Sequence, residues 1–273
     1  VGGAPNSDTA FAGSIPEVYE KYLVPLIFEP YALDLAARLA ALSLTNLLEL
    51  AAGTGVVTRR LALQLPEGVA LTATDLNQSM LDVAASTGTH RAVTWSQADA
   101  LQLPFADATF DAVVCQFGAM FFPDKPRAFA EARRVLRPGG VFLFNVWDRI
   151  EENEFPMTVT EALTMLFPDD PPRFMARVPH GYHDIGVIRR DLAGAGFERI
   201  PNIETVAARS QCASARIAAM AFCQGTPLRA EIEARDSSGL VAATDMAETV
   251  LARRFGTSAI DAKIQAHVIT ATL

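Results

Sequence analysis

Cysteine is scarce in this chain: three residues in 273, at positions 115, 212 and 223. An odd number without a Cys-x-x-Cys pair supports neither a disulfide framework nor a zinc site, so no metal is expected and a reducing, cytoplasmic setting fits best. Basic residues are also in deficit, 23 Lys and Arg against 31 Asp and Glu, for a formal net charge of -8. That balance argues against non-specific nucleic-acid binding, which needs basic patches to neutralise phosphates, so a polynucleotide substrate is not expected. Apolar runs are short: none approaches the roughly 18 residues of a membrane span, and residues 1–14 lack the basic and apolar regions of a signal peptide. What is abundant is apolar side chain, 50% of the residues, enough to fill the core of one large α/β unit.

The most informative stretch is Leu47-Leu48-Glu49-Leu50-Ala51-Ala52-Gly53-Thr54-Gly55, an apolar run that flows into two glycines and then a helix-compatible segment. This is the strand, glycine turn and helix of a nucleotide-binding crossover, and glycine there admits positive φ and close approach of a ligand. A dinucleotide fingerprint places a third glycine three residues after Gly55, where this chain has Thr58. Glu49 adds a negative charge that repels a pyrophosphate and suits an ammonium or sulfonium ligand. Twenty residues after Gly55, a second strand ends in Asp75, a carboxylate placed to accept hydrogen bonds from both hydroxyls of a ribose.

Four segments together resemble the class I S-adenosylmethionine-dependent methyltransferases, in particular the small-molecule branch related to ubiquinone and menaquinone biosynthesis methyltransferases. They are Glu49 to Gly55, Ala73 to Met80, Gln97 to Phe105 and Arg134 to Gly140, and their order and spacing agree with the family's across roughly residues 45 to 148. The family's first motif often has Gly where this chain has Ala51. The resemblance implies S-adenosyl-L-methionine as cofactor and places Glu49, Ala51, Gly53, Gly55, Asp75, Leu76, Asp99, Ala100, Gln116 and Phe117 around it, with Asp99 capping the adenine amino group. It also implies a doubly wound, Rossmann-like sheet of seven mostly parallel strands, the last antiparallel, within one methyltransferase domain over residues 1–273.

Along the chain, residues 1–14 read as a flexible tail. Residues 15–44 form a helical cap that Pro25 and Pro30 should divide into two or three helices. Residues 45–148 form the cofactor-binding core, with strands at 46–51, 69–74, 91–95, 110–116 and 140–147 and helices at 56–65, 78–86 and 124–136. Residues 149–183 and 210–258 read as helical insertions, and a helix over 184–195, a strand over 197–207 and a closing strand over 262–273 complete the pattern.

The fourth strand leaves through Gln116, Phe117, Met120, Phe121 and Phe122, an apolar exit suited to an apolar acceptor. A helix packed into the core is an equal reading for any one of these exit residues, and Tyr19, Phe121, Trp147 and Tyr182 are the candidates for the acceptor pocket. The Cys115 thiol has no basic neighbour in sequence and reads as inert and buried. His180 and His183 are candidates for a general base, against the alternative of a solvated turn capped by Asp184. The activity these residues point to is methyl transfer to a small, mostly apolar molecule by in-line displacement. A nicotinamide-dependent oxidoreductase and a non-catalytic S-adenosylmethionine-binding protein are the alternatives.

Overall fold

The computed structural model describes residues 7–273. In chain order it runs through α1 (Ile15–Val18), a π-helical segment (Tyr19–Phe28), α2 (Glu29–Ala40), β1 (Asn46–Glu49), α3 (Val56–Gln64), β2 (Ala70–Asp75), α4 (Gln78–Thr87), β3 (Thr94–Gln97) and β4 (Phe110–Gln116). It continues with α5 (Lys125–Val135), β5 (Leu136–Trp147), α6 (Glu154–Leu166), α7 (Phe174–Arg177), α8 (Ile185–Gly194), β6 (Asn202–Cys212), α9 (Ala215–Gln224), α10 (Leu228–Arg235), α11 (Leu240–Phe255) and β7 (Ile260–Thr272). Among the described residues no helix is long and apolar enough to cross a membrane.

The seven strands form one sheet in the order β3-β2-β1-β4-β5-β7-β6. β1 pairs in parallel with β2 and β4, β2 with β3, and β4 with β5, whereas β7 runs antiparallel to β5. The expected doubly wound architecture with an antiparallel last strand is therefore present. The strand order reverses between β1 and β4, which puts the ligand crevice of such a sheet at the carboxyl ends of those two strands.

The central strands fall where the apolar runs put them, and the edges do not. β3 occupies 94–97 instead of 91–95, and β6 occupies 202–212 instead of 197–207. Phe197 belongs to the core, its ring stacked on Phe142 at 6.1 Å, and Pro201 has no N–H for a ladder, so β6 begins just after it. Pro25 and Pro30 change the helical winding without interrupting it: Pro25 lies inside the π-helical segment, and Pro30 is the second residue of α2, just after the winding changes from π to α. The flexible tail expected over 1–14 lies partly outside the described residues; within 7–14, Asp8 is held by the Arg177 guanidinium at 2.6 and 2.8 Å.

β5 begins at Leu136, earlier than expected, because it carries a large bulge. Phe110 pairs with Leu136 and Ala112 with Val141, so residues 137–140 loop out opposite Asp111 alone. Asp111 stabilises that excursion by accepting from Thr45 N at 2.6 Å, Thr45 Oγ1 at 2.7 Å, Asn46 N at 2.8 Å and Arg137 Nη1 at 2.5 Å. These donors hold its carboxyl well below the usual carboxylate range although partial burial opposes them.

The chain divides into two compact units. One contains residues 7–28, Asp148–Gly181 and Ala207–Gln265; in it α11 packs on α6 and α9 around Phe155, Leu163, Phe222 and Leu251, all fully buried. The other contains Glu29–Trp147, Tyr182–Val206 and Ala266–Leu273, and carries β1 to β5 with the buried cluster of Phe129, Phe142 and Phe144.

Candidate functional site

β1 delivers Glu49 to the carboxyl edge of the sheet, and β2 delivers Asp75 beside it, since Glu49 and Ala73 are paired across the two strands. Between β1 and α3 the backbone turns through Ala51, Gly53 and Gly55 with φ of 52°, 57° and 85°. Gly55 is needed for packing as well as for its φ: a Cβ there would lie 3.0 Å from Trp95 and 3.1 Å from the Ala84 methyl. Because Gly55 has no side chain to cap α3, Glu49 supplies the cap from the neighbouring strand. Thr58, the third residue of α3, donates its hydroxyl to Glu49 Oε2 at 2.6 Å and adds a backbone hydrogen bond.

Glu49 is only 2% exposed, and burial pushes its carboxyl up to about 8 despite the Thr58 hydrogen bonds and the Arg59 charge; the Asp75 charge raises it further. Asp75 is likewise buried. Its Oδ2 accepts from Gly53 N at 2.8 Å and its Oδ1 from Asn77 N at 2.8 Å, and burial still raises its pKa. A carboxylate has about four lone-pair positions, so these bonds orient Asp75 without exhausting it. Two buried acids on adjacent strands make a place that favours a cation over a pyrophosphate. The Thr54 hydroxyl, buried in the same turn with no hydrogen-bond partner among the described residues, is a further polar group there. These residues fit a sulfonium and ammonium cofactor with a ribose on Asp75.

Leu76, 47% exposed beside Asp75, and the half-buried Ala100 stand on the same edge. Asp99 is exposed and organises its own loop, Oδ1 accepting from Leu101 N at 2.9 Å while its carbonyl accepts from Gln102 N at 3.0 Å. At the exit of β4, Gln116 and Phe117 are buried. Phe117 stacks face to face on Trp147 at 3.7 Å, and Tyr31 meets both rings edge-on at 5.2 and 5.4 Å. Phe117, expected beside the cofactor, and Trp147, expected in the acceptor pocket, thus each turn one ring face to the other. Phe121 is half-buried in a short 3-10 turn, its N–H on the Gly118 carbonyl. The Cys115 thiol is fully buried and pushed up to about 12, as expected for an inert thiol.

Tyr182, in the same unit, is buried and donates its hydroxyl to Asp191 at 2.6 Å, while Lys125 lies over its ring at 4.7 Å. Burial with this bond to Asp191 raises the phenol pKa, so Tyr182 stays neutral and donates to Asp191. His183 is half-buried, and Asp184 caps α8 by accepting from Val187 N at 2.8 Å, as the structural alternative required. The solvated turn expected at 180–183 is not what forms, because His180 and Tyr182 are both buried.

Tyr19 and His180 belong to the other unit. Tyr19 stacks on Phe28 at 5.1 Å and meets Phe11 edge-on. His180 Nδ1 lies 2.8 Å from the Asp148 carbonyl, which can only accept, so Nδ1 carries the hydrogen. Around it, Asp148 accepts from Gln265 Nε2 at 2.7 Å and Asn153 bonds the Gln265 backbone on both its N–H and its carbonyl.

Sequence reasoning missed Thr58 as the donor to Glu49 and missed Asn145 altogether. Asn145 is fully buried in β5, and its Oδ1 accepts the Phe117 N–H at 2.8 Å. Its signal was present: one amide inside the otherwise apolar run Val141-Phe142-Leu143-Phe144-Asn145-Val146-Trp147.

Residues 48–144 match the family described as methyltransferase domain, and all four segments that carry the resemblance fall within that stretch. A demethylmenaquinone methyltransferase of Deinococcus radiodurans is 38% identical over 107 residues, which are 38% of this chain and 44% of the relative. A ubiquinone/menaquinone biosynthesis C-methyltransferase of a Caulobacter species is 35% identical over 141 residues, 48% of this chain and 52% of the relative. The chain thus spans about half the length of the curated relatives it matches. The solved structure of Haemonchus contortus phosphoethanolamine N-methyltransferase 2 in complex with S-adenosyl-L-methionine shares the fold, with a TM-score of 0.59 and 17% identity over 99% of this chain and 60% of that one. The chain resembles the class I methyltransferases of the ubiquinone and menaquinone group.

Proposed function

We propose that this chain binds S-adenosyl-L-methionine on the turn between β1 and α3 and transfers its methyl group to a small, mostly apolar acceptor. The observation that carries the reading is the pair of buried carboxylates, Glu49 and Asp75, each fixed by donors of that turn or of α3 inside the stretch that matches the methyltransferase domain. The cofactor supplies a sulfonium methyl whose positive charge disperses as the bond to the acceptor forms. Glu49 stabilises positive charge, Asp75 orients a ribose, and the apolar exit of β4 excludes water from the reacting axis; positioning of this kind supplies a large share of a barrier reduction. The same proposal takes residues 1–273 as one methyltransferase domain, the cytoplasm as its setting, and a small molecule as its partner.

The nicotinamide alternative is disfavoured by Thr58 and Glu49 together. Thr58 stands where a dinucleotide site needs glycine, and its hydroxyl fixes the acid that would repel the pyrophosphate. Calorimetry with S-adenosylhomocysteine and with NAD tests the reading: micromolar binding of the first and none of the second is expected. Binding of NAD alone would overturn it.

A further inference from the structure

Three non-glycine residues in the described chain have positive φ, and two of them, Ala51 at 52° and Phe117 at 49°, meet at the carboxyl edge of β1 and β4. Such conformations are costly for residues with a Cβ and persist only where the surroundings impose them. Gly118 shows how closely the two turns approach. A Cβ on Gly118 would lie 2.4 Å from the Ala51 methyl and 2.7 Å from Cys115 Sγ, so the methyl of Ala51 requires glycine at 118.

Asn145 is the group that holds the second turn. It is the cross-strand neighbour of Gln116, and Phe117 N–H donates both to its Oδ1 at 2.8 Å and to its backbone carbonyl at 3.2 Å. Reversing the amide would set two donors against one another, so Oδ1 must face Phe117. Nδ2 is then left buried with no hydrogen-bond partner among the described residues, a second cost at the same place. Backbone strain in both turns and an unmatched amide converge on a few residues beside Glu49, where an ordinary core would carry none of them.

We propose that Asn145 is a positioning residue for the cofactor site: it holds the exit of β4 in its left-handed turn against Ala51, and so fixes Gln116 and Phe117 beside the β1 turn at the expense of stability. This rests on the proposed reading of that turn as the S-adenosylmethionine site. Evolutionary replacement of Asn145 by an apolar residue of similar size would make a more stable protein with a poorer site.

The test compares Asn145→Leu with Asn145→Asp in the full chain, by calorimetry with S-adenosylhomocysteine and by thermal unfolding, at pH 6 where so buried an aspartic acid keeps its proton and its acceptor oxygen. Asn145→Leu is expected to weaken binding by about tenfold or more while its Tm stays within about 2 °C of wild type or rises. Asn145→Asp should stay within about threefold of the wild-type affinity. A merely structural asparagine would instead lose Tm and affinity in parallel. Unchanged affinity in Asn145→Leu, or equal losses in both variants, overturns the proposal. If Asn145→Leu does not fold, Gly118→Ala decides: it should weaken binding, and Ala51→Gly in the same chain should restore part of the loss; no restoration overturns the proposal. Wild-type protein that fails to bind S-adenosylhomocysteine would instead overturn the functional reading, and this inference with it.

Discussion

Thr58 donates its hydroxyl to Glu49 at 2.6 Å, joining the first turn of α3 to the acid at the end of β1. The residue that departs from the dinucleotide fingerprint is therefore the one that secures the buried carboxyl of Glu49.

Thr58→Val tests this link with little change of shape. The buried carboxyl loses its hydroxyl donor, so stability should fall by about 1 to 2 kcal/mol and affinity for S-adenosylhomocysteine should fall with it. Thermal unfolding and calorimetry read the two effects. Unchanged affinity in a folded variant would mean that Thr58 merely packs.

The Glu49 carboxyl, pushed up to about 8 mainly by burial, gives a pH signature. Its folded pKa is above the unfolded one, so its contribution to stability is fully present below about pH 4.5 and is lost as the pH rises through about 8. A cationic ligand favours the ionised form and should expel the proton. Calorimetry at pH 7 in two buffers of different ionisation enthalpy should show proton release on binding, with affinity rising between about pH 6 and 8, and Glu49→Gln should abolish the release. Zero release from the wild type would contradict the assignment.

Asp75→Ala should weaken cofactor binding by about 1.5 to 3 kcal/mol, since the ribose loses its acceptor and the Gly53 and Asn77 N–H groups lose theirs. Gly53→Val should do more, because its φ of 57° is hostile to a branched side chain. Affinities in the reverse order would place the ligand away from this turn.

Asp111 governs acid stability at the opposite edge of β4. Its folded pKa lies below the unfolded value of about 3.8, so its contribution is present above that pH and is lost as the pH falls through the folded value. Asp111→Asn should lower stability at pH 7 by about 1 to 3 kcal/mol and flatten the acid limb of a pH titration followed by circular dichroism. An unaltered acid limb would show that the bulge at 137–140 holds without this carboxylate.

The central strands and the turn at 49–55 were legible because their signals are local: buried parallel strands read as continuous apolar runs, and turn glycines mark backbone needs. β3 and β6 were misplaced because each is an edge strand whose exposure sets no strong register. Asn145 and Thr58 were missed for another reason. Each acts through a partner that only the fold brings near, Phe117 from 28 positions away and Glu49 from nine. The stacking of Phe117 on Trp147 was not legible either, because sequence does not show which aromatic rings the fold brings face to face.

The most direct measurement of the central claim is transfer itself. The purified protein is incubated with S-adenosylmethionine labelled on its methyl group and an extract of small metabolites, and the organic-soluble products are resolved. The account predicts label in a small apolar product, formed by the wild type and lost in Asp75→Ala. Cofactor bound with no label transferred to any small molecule would contradict methyl transfer and leave a binding protein on a methyltransferase fold.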